Sequence, residues 1–202
     1  MNNTPKYSIP ADVKGLIFDL DGTLLNSMPL HWLAWQISFR RYDVELDFDE
    51  FMTLAGKAKE KIAAYFIEKF HLENKTNAED IFKEKDRIVW DEIDKVEPIT
   101  TVVNVAKEYF GKIPMSIGTG ADRYRAEHML RASGLLHMFP VIVAADDVLN
   151  HKPAPDTFLR CAELMGVAPE QCLVFEDAIS GLKAAEAAND KEKIRQNQRW
   201  LT

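Results

Sequence analysis

The sequence predicts an α/β protein: a parallel sheet with helices on both faces, opened after its first strand by an inserted block of helices. Three observations predict it. From residue 98 onward, short apolar runs alternate with stretches of helical length, the pattern of repeated strand–helix units. Residues 28–97 show helical periodicity with no strand pattern, so they read as an insertion. Each of the four apolar runs ends in a polar cluster: Asp19/Asp21, Thr119, Asp146/Asp147 and Glu176/Asp177. The expected division is a core of residues 1–27 and 98–202 and a helical unit of residues 28–97.

The elements follow in order. Gly15-Leu16-Ile17-Phe18 is a brief apolar run stopped by Asp19 and Asp21-Gly22, hence a buried strand and a tight turn. In the insertion, Leu30, Leu33, Ala34 and Ile37 are spaced for one helical face. Ile62, Ala63, Phe66, Ile67 and Phe70 form a second face, and Ile81, Ile88, Trp90, Ile93 and Val96 belong to a third stretch. Past Pro98 come a helix over 100–110 closed by Gly111, a strand over 113–117 and a helix over 121–133 stopped by Gly134. A strand over 141–144, a helix over 155–165 closed by Gly166, a strand over 173–175 and a helix over 178–188 complete the alternation.

Composition bounds the function. The 202 residues are 47% apolar and 28% charged, enough for a core and against wholesale disorder. Twenty-five Lys and Arg against 32 Asp and Glu leave a formal charge of −7, which disfavours nucleic acid and membrane surfaces as partners. No apolar run approaches the roughly 18 residues that span a bilayer, and residues 1–10 lack the basic and apolar regions of a signal peptide. Cys161 and Cys172 are too few for a disulfide scaffold or a cysteine zinc cluster. A cytoplasmic monomer is the expectation.

The chemistry sits at the strand ends. Parallel strands bring their carboxyl ends to one edge, where open α/β sheets bind ligands. Asp19, Asp21 and Asp177, with Glu176 beside them, would gather there. Like charges this close raise one another's pKa unless a cation compensates, and an all-oxygen set suits Mg²⁺. Lys152, in His151-Lys152-Pro153-Ala154-Pro155, supplies a fixed positive charge. Thr119 and the amide of Gly120 offer donors at a helix N-terminus, a cradle for phosphate. Carboxylates, a hard metal, a lysine and a donor loop make a phosphoryl-transfer constellation. Asp19, at the strand end, is the candidate nucleophile. Asp21, two residues on, is the candidate acid that protonates the leaving alkoxide and then takes a proton from water. Taken singly, each cluster also reads blandly: Asp-x-Asp-Gly as an ordinary turn, Glu176-Asp177 as acids at a helix start, Lys152 as a solvated charge. Their occurrence at successive strand ends is what speaks for a site.

These residues resemble a known family. Asp19-Leu20-Asp21-Gly22-Thr23-Leu24-Leu25-Asn26-Ser27 resembles the first motif of the haloacid-dehalogenase-like (HAD) superfamily. Thr119-Gly120 resembles the second motif, Lys152-Pro153-Ala154-Pro155 the third and Glu176-Asp177 the fourth. The insertion resembles the small helical cap of the β-phosphoglucomutase-like subfamily, and the likeness runs from about Lys14 to Ala188. Residues 113–120, 143–148 and 151–158 are further similar to bacterial fructose-1-phosphate/6-phosphogluconate phosphatases of that subfamily. The resemblance implies a Rossmann-like core with an α-helical cap, and a phosphoric monoester hydrolase acting on a small phosphorylated sugar. It implies Asp19 as nucleophile and Asp21 as acid/base. Mg²⁺ would be held by the Asp19 carboxylate, the Asp21 backbone carbonyl and Asp177, with Glu176 in or near its shell, while Thr119 and Lys152 hold the phosphate. Since true dehalogenases of the family lack the second acid, Asp21 favours phosphoryl transfer. The cap is expected to close over the site and set substrate choice, with His31, Trp35, Gly56, Lys59 and Lys85 as substrate-binding candidates beside Gly120.

After Ala187-Ala188 the family usually has a Gly and another apolar strand, whereas residues 189–202 here are polar, so the edge strand is expected to be missing. Two alternatives stand beside the phosphatase. One is a phosphosugar mutase that uses the same aspartyl-phosphate. The other is a phosphosugar-binding protein disabled by the altered C-terminus.

Overall fold

Four short strands lie side by side in one parallel sheet: β1 (Gly15–Phe18), β2 (Met115–Gly118), β3 (Val141–Val143) and β4 (Cys172–Phe175). Their order is β3-β2-β1-β4, in a computed structural model that describes residues 9–54 and 59–189. The chain divides into two compact units, one formed by residues up to Asn26 and from Glu97 onward, the other by Ser27–Val96.

In the sheet unit, β1 pairs with β2 on one side and with β4 on the other. Successive connections therefore leave β1 in opposite directions, and the crevice of an open α/β sheet falls between β1 and β4. Register carries the strand ends into line. Phe18 is level with Ile117 and Phe175, and Gly118 with Val143. Alternation along β1 sends its side chains to both faces. Ile17 joins Val143, Phe158, Cys161, Ala162, Cys172, Ala184 and Ala185 in an apolar cluster with α7 (Asp156–Met165) and α8 (Ile179–Ala188). Phe18 stacks on Phe175 at 4.6 Å and meets Phe139 edge-on at 5.6 Å. All four β1 residues are buried, which is why the run is apolar without alternation. The insertion leaves and re-enters this unit at one point, where Asn26 N–H donates to Glu97 O at 2.8 Å. Two further helices belong here: α5 (Thr100–Tyr109), and α6 (Arg123–Ala132), whose N-cap Asp122 accepts from Arg125 N at 2.9 Å.

The helical unit holds α1 (Met28–Arg40), α2 (Phe48–Leu54), α3 (Lys59–Lys69) and α4 (Ala78–Glu92), followed by a 3₁₀ turn at Ile93–Lys95. The second face expected from the sequence is observed: Ile62, Ala63, Phe66 and Ile67 of α3 are buried. The first is corrected. In α1 the buried residues are Ala34, Trp35, Ser38 and Phe39, while Leu33 is exposed. One residue along a helix turns the face by about 100°; the small Ala34 and Ser38 beside the broad rings of Trp35 and Phe39 give the better packed surface. Helix α2 is additional to the three expected stretches, its 7 residues too short to show a period. Strand and helix ends in the sheet unit fall within one or two residues of expectation, α6 starting at Arg123 because Asp122 caps it. Residues 190–202, on which the missing edge strand was read, lie outside the described residues.

Candidate active site

The aligned strand ends put the acids together. Asp19 follows β1 directly, and its N–H donates to Phe175 O at 2.9 Å, so it stands level with Glu176 at the end of β4. One ligand oxygen each from Asp19, Glu176 and Asp177 lies within 4.8 Å of the others. Lys152 reaches into this group: its Nζ donates to Asp19 Oδ1 at 2.6 Å and to Glu176 Oε2 at 2.7 Å. All three partners are buried, with side-chain exposures of 11% for Lys152, 8% for Asp19 and 2% for Glu176, so water screens these pairs little. The ammonium also sits 4.7 Å from the centroid of the Phe158 ring, whose negative face adds to its stabilisation.

Burial drives the electrostatics. Desolvation holds the Asp19 carboxyl well above its ordinary range; Lys152 pulls it down, but the charges of Glu176 and Asp177 push the same way as burial. Burial alone would lower the Lys152 ammonium, yet the charges of Asp19 and Glu176 outweigh it and hold the group above its ordinary value. Asp177 is raised as well, chiefly by burial, and the hydrogen bond from Thr23 pulls it back.

The turn after β1 is organised by its own backbone. Gly22 N–H donates to Leu25 O at 2.8 Å, and the amides of Leu24 and Leu25 both donate to Leu20 O. Gly22 has φ +84°, and a Cβ on it would lie 2.4 Å from Asp177 Oδ2, so no side chain fits between turn and carboxylate. Thr23 Oγ1 donates to Asp177 Oδ1 at 2.7 Å. Asp21 occupies this turn two residues past Asp19; its carboxylate is not one of the three that converge. At the next strand end, Thr119 is buried, its N–H donating to Val143 O and its Oγ1 accepting from Ala121 N at 3.0 Å. The hydroxyl thus keeps its proton to donate. Gly120 follows, exposed.

Glu176 is held from two sides. Its Oε2 accepts from Lys152, and its Oε1 accepts from Ala178 N at 3.0 Å, at the start of α8. A Cβ on Gly181 would sit 1.9 Å from Glu176 Oε2, so the first turn of α8 must carry a glycine for this carboxylate to exist where it does. The sequence by itself gives Thr23, Phe158 and Gly181 no individual role in the site. Thr23 lies inside the first motif, and Gly181 shows as a glycine four residues past Asp177 in a helix that would otherwise prefer alanine.

The candidates of the helical unit fall out differently. Trp35, read as a substrate contact, is a core residue of its unit: it is 4% exposed, with rings of Phe39, Phe51 and Phe82 around it at 6.2–6.3 Å. Lys85 is also buried, its Nζ 3.6 Å from Asp86 Oδ1. Lys59 is half-exposed, 4.0 Å from Asp86 Oδ2 and 5.4 Å from the Phe82 centroid. His31 is half-buried in the first turn of α1, its N–H donating to Ser27 O. Gly56 lies outside the described residues. The acid pair Asp146/Asp147 belongs to a 3₁₀ turn at Ala145–Asp147 and pairs with Arg123 instead of the central carboxylates. Both cysteines are free and buried, and burial pushes their thiols up, to about 12 for Cys161 and about 11 for Cys172, which leaves neither as a nucleophile at neutral pH.

A carboxylate–lysine centre at the switch point of a parallel sheet, with a separate helical unit inserted after the first strand, defines a class of α/β enzyme. Within it, the chain belongs to the haloacid dehalogenase-like hydrolase family, whose profile matches residues 16–191. It is 44% identical over 175 residues to the fructose-1-phosphate phosphatase YqaB of Escherichia coli, covering 86% of this chain and 92% of that one. It is 29% identical to a β-phosphoglucomutase of Bacillus subtilis, over 87% of this chain and 80% of the relative. Among solved structures, a HAD hydrolase from Entamoeba histolytica superposes with a TM-score of 0.76 at 26% identity, covering 88% of this chain and 81% of that one. Among the described residues, no helix is long and apolar enough to cross a membrane.

Proposed function

We propose that the protein is a Mg²⁺-dependent phosphatase of small sugar phosphates, such as fructose 1-phosphate or 6-phosphogluconate, working through a phosphoryl group carried transiently on Asp19. One observation carries the reading: Lys152 Nζ lies 2.6 Å from Asp19 Oδ1 inside a group of three carboxylates. A carboxylate cannot approach a phosphate dianion without a cation at hand, and a fixed ammonium at the nucleophile meets that need.

In the first step an Asp19 carboxylate oxygen attacks phosphorus, the ester P–O bond breaks, and the leaving alkoxide takes a proton from the Asp21 carboxylic acid. In the second, water attacks the acyl phosphate and gives a proton to the Asp21 carboxylate. The bond between phosphorus and Asp19 then breaks and inorganic phosphate leaves. The Thr119 hydroxyl, its acceptor side taken by Ala121 N, donates to a phosphate oxygen. The acidic group also fits the metal. Three carboxylates with one oxygen each within 4.8 Å of the others form an all-oxygen donor set, the chemistry that a hard divalent cation such as Mg²⁺ prefers. Asp19 and Asp177 would hold the ion together with the Asp21 backbone carbonyl, with Glu176, already engaged by Lys152 and Ala178 N, beside them. When bound, the ion offsets the charge of nucleophile and phosphate. The choice of a phosphorylated sugar follows the E. coli relative.

The test is inorganic phosphate release from a panel of hexose phosphates, with Mg²⁺ and with EDTA, for wild type and for Asp19→Asn. Release that needs Mg²⁺ and disappears in a folded Asp19→Asn protein is expected; hydrolysis retained by that variant removes Asp19 as nucleophile. The likeness to a β-phosphoglucomutase favours a second reading, in which the phosphoryl group returns to the sugar. Isomerised sugar phosphate in place of free phosphate, in the presence of a hexose bisphosphate, would select it.

A further inference from the structure

The acid pair at the end of β3 is the one strand-end cluster that the site above does not use, and its contacts show what it holds. The turn after β2 carries Thr119, and the turn after β3 leads to Lys152. The two are stitched together at several points. Thr119 N–H donates to Val143 O and Ala145 N–H to Ala121 O, both at 2.9 Å. Arg123, the first residue of α6, adds the side-chain stitches. Its backbone N–H donates to Asp146 Oδ2 at 2.9 Å, and its guanidinium Nη2 donates to Ile142 O at 2.9 Å and to Asp147 Oδ2 at 2.6 Å. That same Asp147 oxygen accepts from Ala144 N at 2.8 Å. One carboxylate oxygen thus ties the end of β3 to the start of α6, across the base of the Thr119 turn.

From this we infer that Asp147 and Arg123 are positioning residues for the phosphate-binding turn: their pair fixes the Thr119 hydroxyl relative to Lys152, and neither touches substrate. The assignment rests on the phosphatase reading of the site. Arg123 and Asp147 are themselves 42% and 29% exposed, so the pair contributes little to global stability. Its contribution is geometric. Thr119 is a single donor on a short turn, and a donor displaced by a fraction of an ångström loses much of its value in the transition state. Both side-chain bonds leave from Nη2, whose two N–H groups are fixed in the guanidinium plane and aimed at the carbonyl and the carboxylate, a direction that the freely turning ammonium of a shorter lysine does not hold.

The test compares wild type with Asp147→Ala, Arg123→Ala, the double variant, Arg123→Lys and Asp147→Asn. Four quantities are measured: hydrolysis of fructose 1-phosphate and p-nitrophenyl phosphate, competitive inhibition by inorganic phosphate, the Mg²⁺ concentration for half activity, and the melting temperature. Each alanine variant should lose on the order of tenfold in kcat/KM, with inhibition by phosphate weakened in parallel and the Mg²⁺ requirement unchanged. The double variant should be no worse than the poorer single, because one clamp is broken once. Arg123→Lys should resemble Arg123→Ala, and Asp147→Asn, whose amide oxygen can still take both N–H groups, should recover most of the rate. Wild-type kcat/KM in either alanine variant, unaltered phosphate inhibition, or a loss that only follows the folded fraction overturns the assignment while leaving the phosphatase reading standing. If Asp147→Ala does not fold, the Lys and Asn variants decide the same question. A wild type that hydrolyses no ester refutes the phosphatase reading, and this assignment with it.

Discussion

Replacing Lys152 by methionine keeps most of the side-chain volume against Phe158 and removes only the charge. The structure sets the size of the consequence. Two carboxylates, at 2.6 and 2.7 Å from the ammonium and at most 8% exposed, would be left without their cation, and a third lies in the same group. Breaking a buried ion pair from one side costs about 3–5 kcal/mol. In a chain of this length each kcal/mol moves the melting temperature by about 2–4 °C, so a fall of roughly 6–20 °C is expected in metal-free buffer near neutral pH. The sign of the pH dependence follows from the shifts. Lys152 is raised above 10.5, so its stabilising contribution is whole at neutral pH. Asp19 is held above 3.8, and losing Lys152 raises it further. The native variant then binds more protons than its unfolded chain in the window above 3.8, and gains stability as pH falls through it. The gap between variant and wild type should therefore narrow toward acid. Far-UV circular dichroism melts in EDTA, at about pH 7.5 and about pH 5, measure both quantities. A melting temperature unchanged at neutral pH, or a gap that widens in acid, would show that the ammonium does not compensate this acidic group.

Three further outcomes follow from the same contacts. Gly181→Ala adds a Cβ at 1.9 Å from Glu176 Oε2 and must displace that carboxylate; despite an alanine's gain of about 1 kcal/mol in helix propensity, hydrolysis should drop on the order of tenfold or more, and an unchanged rate would mean Glu176 does not position Lys152. Thr23→Val removes the 2.7 Å donor that holds Asp177 down, so half-activation should need more Mg²⁺ and the acid limb of the rate profile should move to higher pH; an unmoved limb in a steady-state profile counts against it. Because Asp19 and Asp177 are both raised in the metal-free protein, Mg²⁺ should release protons on binding, most at mildly acid pH; calorimetry in buffers of different ionisation enthalpy reads this directly, and a buffer-independent heat contradicts it.

Much of the sheet unit is legible in the sequence because its strands are short apolar runs that end abruptly in polar residues, β1 and β2 being buried throughout. Gly15-Leu16-Ile17-Phe18 into Asp19 and Cys172-Leu173-Val174-Phe175 into Glu176 need no partner to be recognised. Register needs one: the level placement of Phe18 and Phe175, which makes neighbours of Asp19 and Glu176, is a property of the paired strands. The helical unit is read less well because several of its helices are apolar on more than one side. In α1, Leu33 and Trp35 compete for the inward face, and packing against Phe51 of α2 and Phe82 of α4 decides for Trp35. The Trp35 ring, enclosed by Phe39, Phe51 and Phe82, is thereby occupied in holding its unit together.

What the sequence shows least is clearance. Gly22 and Gly181 carry no chemistry, yet each stands where a methyl group would overlap a carboxylate oxygen, of Asp177 in one case and of Glu176 in the other. The acids can crowd together only because the backbone opposite them is bare. Crowding has its own consequence. Three carboxylates against one ammonium leave two negative charges uncompensated among the described residues of the group, in surroundings that screen poorly. Burial first, and then this crowding by Glu176 and Asp177, hold the Asp19 carboxyl above its ordinary value against the pull of Lys152. On the phosphatase reading, a divalent ion held by these carboxylates would offset this excess charge beside the nucleophile as well as the charge of the phosphate. The same glycines that let the carboxylates meet thereby create the excess that such an ion would offset.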